Sequence, residues 1–176
     1  DIPGVLVVTP KVFGDERGFF LETYNKEDFQ QAGIEPEFVQ DNPSKSIRGV
    51  VRGLHYQKKF PQGKLIRVIH GEVLDVIVDI RRGSPTFTRW ISILLSAENK
   101  KQVWIPGGLA HGFAVLSETA EFCYKVTDYY HPEDEGGIRW NDPQLKIDWQ
   151  VQNPLLSEKD RQLPLLAEAG EDLPLF

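Results

Sequence analysis

Apolar residues in this chain come in short runs of β-branched and aromatic side chains, closely punctuated by Gly, Pro, Asn and Asp. Segments 19–24, 49–56, 64–70, 72–80, 90–95, 102–105 and 122–130 therefore read as strands. One short helix is predicted over 26–32, closed by Gly33, and a helical turn near Ser157 within 156–166. An irregular tail containing Pro164 and Pro174 follows. Many short strands with frequent turns predict an all-β sandwich or barrel with few helices rather than an α/β fold. No repeat, linker or low-complexity stretch divides the chain, so a single domain over 1–176 is expected.

Alternation along two strands says which side chains share a face. Lys64, Ile66 and Val68 fall on one side of segment 64–70, and Leu65, Arg67 and Ile69 on the other. In segment 122–130 the shared face holds Phe122, Tyr124, Val126, Asp128 and Tyr130. If these apolar sets line a barrel, Lys64, Tyr124 and Tyr130 point into it. A lysine inside a barrel needs a partner or a ligand. The same spacing equally allows Lys64 to snorkel to solvent from the strand end.

Charge narrows the function classes. With 26 acidic against 20 basic residues the net charge is −6, which argues against a sequence-independent nucleic-acid binder. A few convergent Arg and Lys residues can still hold a small phosphorylated ligand. The lone Cys123 excludes an intrachain disulfide, and its apolar surroundings predict a buried, inert thiol. No apolar run reaches membrane-spanning length and no basic-then-apolar leader is present, so a cytoplasmic protein is the expectation.

The histidines carry the candidate chemistry. His55 lies in Arg52-Gly53-Leu54-His55-Tyr56-Gln57 and His111 in Pro106-Gly107-Gly108-Leu109-Ala110-His111. Read locally, each is as ordinary as a hydrogen-bonded structural histidine; His70 at a turn and His131 in a solvated acidic loop are more so. The Pro-x-Gly-x-x-His spacing of 106–111 matches the second signature of cupin barrels. The first signature would supply a His-x-His pair and a downstream Glu, but here it reads His55-Tyr56-Gln57. Two histidines without a neighbouring carboxylate fall short of a Zn or Fe site, so no metal is expected. The cavity would then work with side chains alone. His55 and Tyr124 are a base and an acid, Lys64 can sit where an oxyanion develops, and a carboxylate behind the base would fix its tautomer. Such a set suits proton abstraction beside a carbonyl.

The chain resembles the dTDP-4-dehydrorhamnose 3,5-epimerase family of cupin-type jelly-roll barrels. The resemblance runs from Asp15 to Leu163 and rests on ordered blocks: 15–22, 38–42, 49–57, 61–68, 71–76, 105–113, 124–130 with 137–140, and 156–160. It implies that His55 is the proton acceptor, Tyr124 the donor on the opposite face of the sugar ring, Asp160 the carboxylate orienting His55, and Lys64 the stabiliser of an enolate at the C4 ketone. It implies a dTDP-sugar substrate, no metal or redox cofactor, and contacts from Arg17, Glu22, Gln40, Asp41, Asn42, Arg52, His111, Tyr130, Glu135 and Lys159. Guanidinium groups suit a diphosphate because they present two parallel donors. The resemblance also implies a homodimer in which an N-terminal strand reaches the partner, so that Arg17 and Glu22 serve the partner's site. Relatives that invert only C3 or only C5, sugar-nucleotide ketoisomerases, and cupins that merely bind a sugar nucleotide are the rival expectations. One inconsistency stands: Arg52 and His55 are an odd number of residues apart and should face opposite sides of a regular strand. Either Gly53 permits a bulge, or Arg52 reaches the site from elsewhere, for example across a subunit boundary.

Overall fold

The computed structural model describes residues 1–170 and 173–176. Two five-stranded antiparallel sheets face one another in a cupin-type jelly-roll barrel. In chain order the strands are β1 (Leu6–Val8), β2 (Val12–Asp15), β3 (Gly18–Leu21), β4 (Gln40–Ile47), β5 (Val51–Gln57), β6 (Lys64–His70), β7 (Glu72–Asp79), β8 (Trp90–Ser96), β9 (Gln102–Ile105), β10 (Leu109–Val115), β11 (Thr119–Val126) and β12 (Glu135–Gly137). Helices α1 (Lys26–Gln31), α2 (Glu158–Arg161) and α3 (Leu166–Ala169) are all short. One sheet runs β1-β9-β6-β11-β4 and the other β12-β5-β10-β7-β8, while β2 and β3 form a separate hairpin.

The space between the sheets is filled from both sides. Ile66 and Val68 of β6, Val103 and Ile105 of β9 and Phe122 of β11 meet Val73 and Ile77 of β7 and Phe113 of β10. Phe113 and Phe122 stack at 4.2 Å between centroids, tying one sheet to the other. Behind the second sheet, Leu54, Leu74, Val76 and Val78 pack against Ile138, Leu145, Trp149 and Leu166 from the C-terminal part of the chain. Strands β7 and β10 are thus covered on both faces, which is why β7 reads as an almost unbroken apolar run. On the outside of the first sheet, Phe29 of α1 covers Leu65 and Trp104.

Local signals account for the elements that were predicted. Asn25 caps α1 by accepting from the Glu27 N–H, and Gly33, at φ +86°, takes the left-handed turn that ends the helical segment. The helical turn near Ser157 is α2, whose Ser157 hydroxyl accepts the Asp160 N–H. Other elements depart from expectation. β4 (Gln-Asp-Asn-Pro-Ser-Lys-Ser-Ile) has almost no apolar residues, and its Pro43 is tolerated because β4 is the sheet edge. β11 ends at Val126, four residues before its expected limit, so Tyr130 leaves the strand face and stands exposed. Cys123 is half-buried rather than buried, and burial pushes its thiol pKa up. His131 is half-buried and stacked on Phe60 at 4.4 Å, not solvated as its acidic loop suggested.

Candidate active site

A cavity of about 200 Å³ opens between the two sheets, lined by Arg52 and His55 of β5, Lys64 of β6, His111 of β10 and Phe122 and Tyr124 of β11, among others. The expectation that Lys64 and Tyr124 point inward is met, and the alternative of a snorkelling Lys64 falls. His55 and Tyr124 reach the cavity from opposite sheets.

The parity conflict between Arg52 and His55 is resolved by a bulge. β10 pairs His111 with His55 but Phe113 with Arg52, so β5 carries one extra residue there. Gly53 sits in the bulge at φ +115°, and a Cβ on it would lie 2.6 Å from the Gly112 Cα, so only glycine fits. Arg52 thereby joins His55 on the cavity wall, where its guanidinium donates to the Ser46 hydroxyl at 3.1 Å and 3.2 Å.

Behind His55 lies Asp160, buried and supplied by the first turn of α2. The His55 Nε2 and Asp160 Oδ1 are 2.5 Å apart. A carboxylate only accepts, so Nε2 carries the hydrogen and Nδ1 keeps the lone pair that a base needs. Burial alone would raise the Asp160 pKa. Hydrogen bonds to the carboxylate from His55, the Ser157 hydroxyl and the Gly53 N–H, with the charge of His55, more than offset it, and the group lies below the usual carboxylate range.

The remaining groups have distinct electrostatics. Burial pushes the Tyr124 phenol up, so it stays a proton donor at neutral pH. Burial pushes Lys64 down to about 8, against the pull of the Asp75 and Glu135 carboxylates. His111 is also pushed down by burial and donates through Nε2 to Asp75 Oδ2 at 2.8 Å. Asp75 was not singled out by sequence, although a carboxylate inside Val-Leu-Asp-Val-Ile-Val was the signal that could have found it. Ser46, beside Arg52, left no such signal.

A second cluster lies near the cavity. The Tyr130 hydroxyl donates to Glu135 Oε2 at 2.6 Å, which pushes the phenol up to about 12, and Lys159 Nζ reaches the same oxygen at 2.5 Å. Burial opposes ionisation of Glu135, yet Lys159, Tyr130 and His55 together hold its pKa below the ordinary value. On β4, Asn42 is in register with Tyr124 and accepts from the Gln40 side chain at 2.9 Å. Asp41, one residue away, is exposed and paired with Lys125 at 2.9 Å, so it turns from the cavity. Arg17 sits exposed at the β2–β3 turn, bound to the Asp15 carboxylate, and neither it nor Glu22 lines the cavity within one chain. Among the described residues, no three His, Cys, Asp or Glu side chains are grouped to hold a metal. No described helix is long and apolar enough to cross a membrane.

The known proteins that match are sugar-nucleotide epimerases. A family model described as dTDP-4-dehydrorhamnose 3,5-epimerase matches residues 1–168. A dTDP-4-dehydrorhamnose 3,5-epimerase of Pseudomonas aeruginosa is 62% identical over 170 residues, 96% of this chain and 94% of that protein. A dTDP-4-dehydrorhamnose 3-epimerase of Streptomyces niveus is 41% identical over 172 residues, covering 97% and 83%. The crystal structure of dTDP-6-deoxy-D-glucose-3,5-epimerase from Legionella pneumophila, in complex with dTDP-4-keto-L-rhamnose, superposes with a TM-score of 0.95 at 53% identity, over 98% of this chain and 93% of that one.

Proposed function

The chain belongs to the dTDP-4-dehydrorhamnose 3,5-epimerase family, an isomerase that converts dTDP-4-dehydro-6-deoxy-D-glucose to dTDP-4-dehydro-L-rhamnose, and we propose that His55, Tyr124, Lys64 and Asp160 carry that reaction in it. The supporting observation is that a histidine with a fixed tautomer and a protonated tyrosine enter one cavity from opposite sheets, with a lysine beside them. The C3 and C5 hydrogens flank the C4 ketone and are acidified by it. His55 Nδ1 removes such a proton, and charge develops on the C4 oxygen as an enolate. The Lys64 ammonium stabilises that oxyanion. Tyr124 returns a proton to the other face of the carbon, so the centre inverts. Asp160 holds the imidazole in place and favours the imidazolium that forms. Proton return from one face and removal from the other needs no net redox change.

For the rest of the substrate, Arg52 supplies a guanidinium for the diphosphate, with His111, Gln40 and Asn42 around the cavity and Tyr130, Glu135 and Lys159 at its rim. Incubation with the 4-keto sugar nucleotide in deuterated water tests the core of this reading. Deuterium entering both C3 and C5 by NMR is the expected result. Entry at C3 alone or at C5 alone identifies the corresponding narrower epimerase, and no entry at either defeats the reading.

We infer further that the enzyme works as a homodimer. The β2–β3 hairpin pairs with neither main sheet and leaves Phe13, Phe19 and Phe20 52%, 62% and 69% exposed. Such apolar exposure on a protruding element calls for a partner surface, and a second copy supplies one. Arg17 in the turn of this hairpin and Glu22 just after it serve the partner's cavity. An inactive Arg17→Ala chain co-expressed with an inactive His55→Ala chain is expected to regain about a quarter of wild-type activity, because half the dimers are mixed and each restores one of two sites. If the mixture stays inactive, Arg17 does not act across the interface.

A further inference from the structure

Asp75 is fully buried in an otherwise apolar stretch of β7, and only one of its oxygens is used. Oδ2 takes the His111 Nε2–H, while Oδ1 is buried with no hydrogen-bond partner. A half-satisfied carboxylate inside a core is costly, and its retention asks what else compensates the charge. Across the same cavity wall, Lys64 makes no hydrogen bond or ion pair with any described residue. His111 lies within electrostatic reach of both, and Asp75 and Lys64 act on one another.

We propose that Asp75 is a positioning residue for the epimerisation: clamped by His111, it serves as the fixed counter-charge that keeps Lys64 an ammonium inside the cavity. The inference rests on the reading that Lys64 meets the enolate. Six titratable or charged groups face Lys64: Arg52 and His55 from β5, Asp75 from β7, His111 from β10, Tyr124 from β11 and Glu135 from β12. His111 is held neutral by burial, so it transmits orientation and not charge. Of the two carboxylates acting on Lys64, Asp75 acts more strongly than Glu135, which is itself engaged by Lys159 and Tyr130. Asp75 thus divides the work: one oxygen fixes the histidine, and the other leaves its charge to the lysine.

The test is the pH dependence of kcat/KM, which reports groups in the free enzyme. The wild-type alkaline limb is expected near pH 8, where Lys64 loses its proton. Asp75→Asn keeps the shape and a partner for His111 but removes the charge. Its alkaline limb should move about one pH unit toward acid, lowering kcat/KM about five-fold at pH 8 and less than about 1.5-fold at pH 6. In a Lys64→Arg background the guanidinium does not titrate in this range, so the limb near pH 8 should be absent, and adding Asp75→Asn should shift no limb. A uniform loss at every pH, or the same shift in the Lys64→Arg background, overturns the proposal. NMR titration of 13C-ε-labelled lysine gives the Lys64 protonation directly, without turnover, and an unchanged midpoint in Asp75→Asn also overturns it. If Asp75→Asn fails to fold by circular dichroism, Asp75→Ser takes its place. Absence of solvent exchange in the wild type would instead defeat the reading of the active site.

Discussion

His55→Ala is expected to lower kcat by about 10⁴-fold, the upper end of what a positioned general base contributes, because both carbons depend on the same imidazole. The cavity offers no second base in that place. His111 spends its Nε2–H on Asp75 and is lined up from a different strand, and Glu135 is committed to Lys159 and Tyr130. Removing the ring leaves Asp160 buried beside a gap, but the Ser157 and Gly53 contacts to it remain. The fold should therefore survive, the more so because the His55 side chain is already 31% exposed. Binding of dTDP, followed by calorimetry, should stay close to wild type, since Arg52 and the rim residues are untouched. The decisive measurement is deuterium entry at C3 and C5. Exchange within ten-fold of the wild-type rate would mean that another group removes the protons.

How much of this could be read from the chain follows from where each residue's information lies. β6, β7, β8 and β9 were legible because their apolar faces pack into the core between the sheets. Lys64 was legible as an inward lysine because it shares a face with Ile66 and Val68, although only the structure chose between cavity and solvent. β4 was not legible. As an edge strand flanking the opening it buries little, so its sequence carries polar residues and a proline where alternation would be sought. Strand β10 was hidden by Gly112, which is there because the strand is pressed against Arg52 and Gly53 of β5. The same close approach accompanies the bulge that brings Arg52 and His55 to one face, a departure from period two that their odd spacing raised as one of two explanations without deciding between them.

The dyad is the clearest limit. His55 and Asp160 are 105 positions apart, and Asp160 sits in a charged Glu-Lys-Asp-Arg turn that looks like solvated surface. Its burial comes from folding α2 against β5, a tertiary event without local signature; resemblance to known epimerases was the only route to it from sequence. Asp75 is the opposite case. Its anomaly is local, a charge in an apolar strand, yet its meaning depends on His111 and Lys64 arriving from two other strands.

Tyr124→Phe is expected to separate the two halves of the reaction. Its ring would keep the place beside Phe122, whose centroid lies 6.0 Å away, and no hydrogen bond is lost because the hydroxyl has no such partner among the described residues. Stability should change by no more than about 0.5 kcal/mol, as for substitutions that break no named contact. Proton removal by His55 and enolate support from Lys64 remain, so the sugar can still be deprotonated. Without the phenol, the carbon recovers its proton mainly from His55 on the face it left, which restores the starting configuration. In deuterated water the substrate pool should therefore pick up label at C3 and C5 while formation of the inverted sugar falls by about 10²–10³-fold. The ratio of exchange to inversion, measured by NMR on the same sample, should rise by the same factor. A phenylalanine variant that inverts at the wild-type rate would remove Tyr124 from the donor role. One that loses exchange and inversion in equal measure would make the hydroxyl a partner in proton removal, which a donor on the opposite face is not.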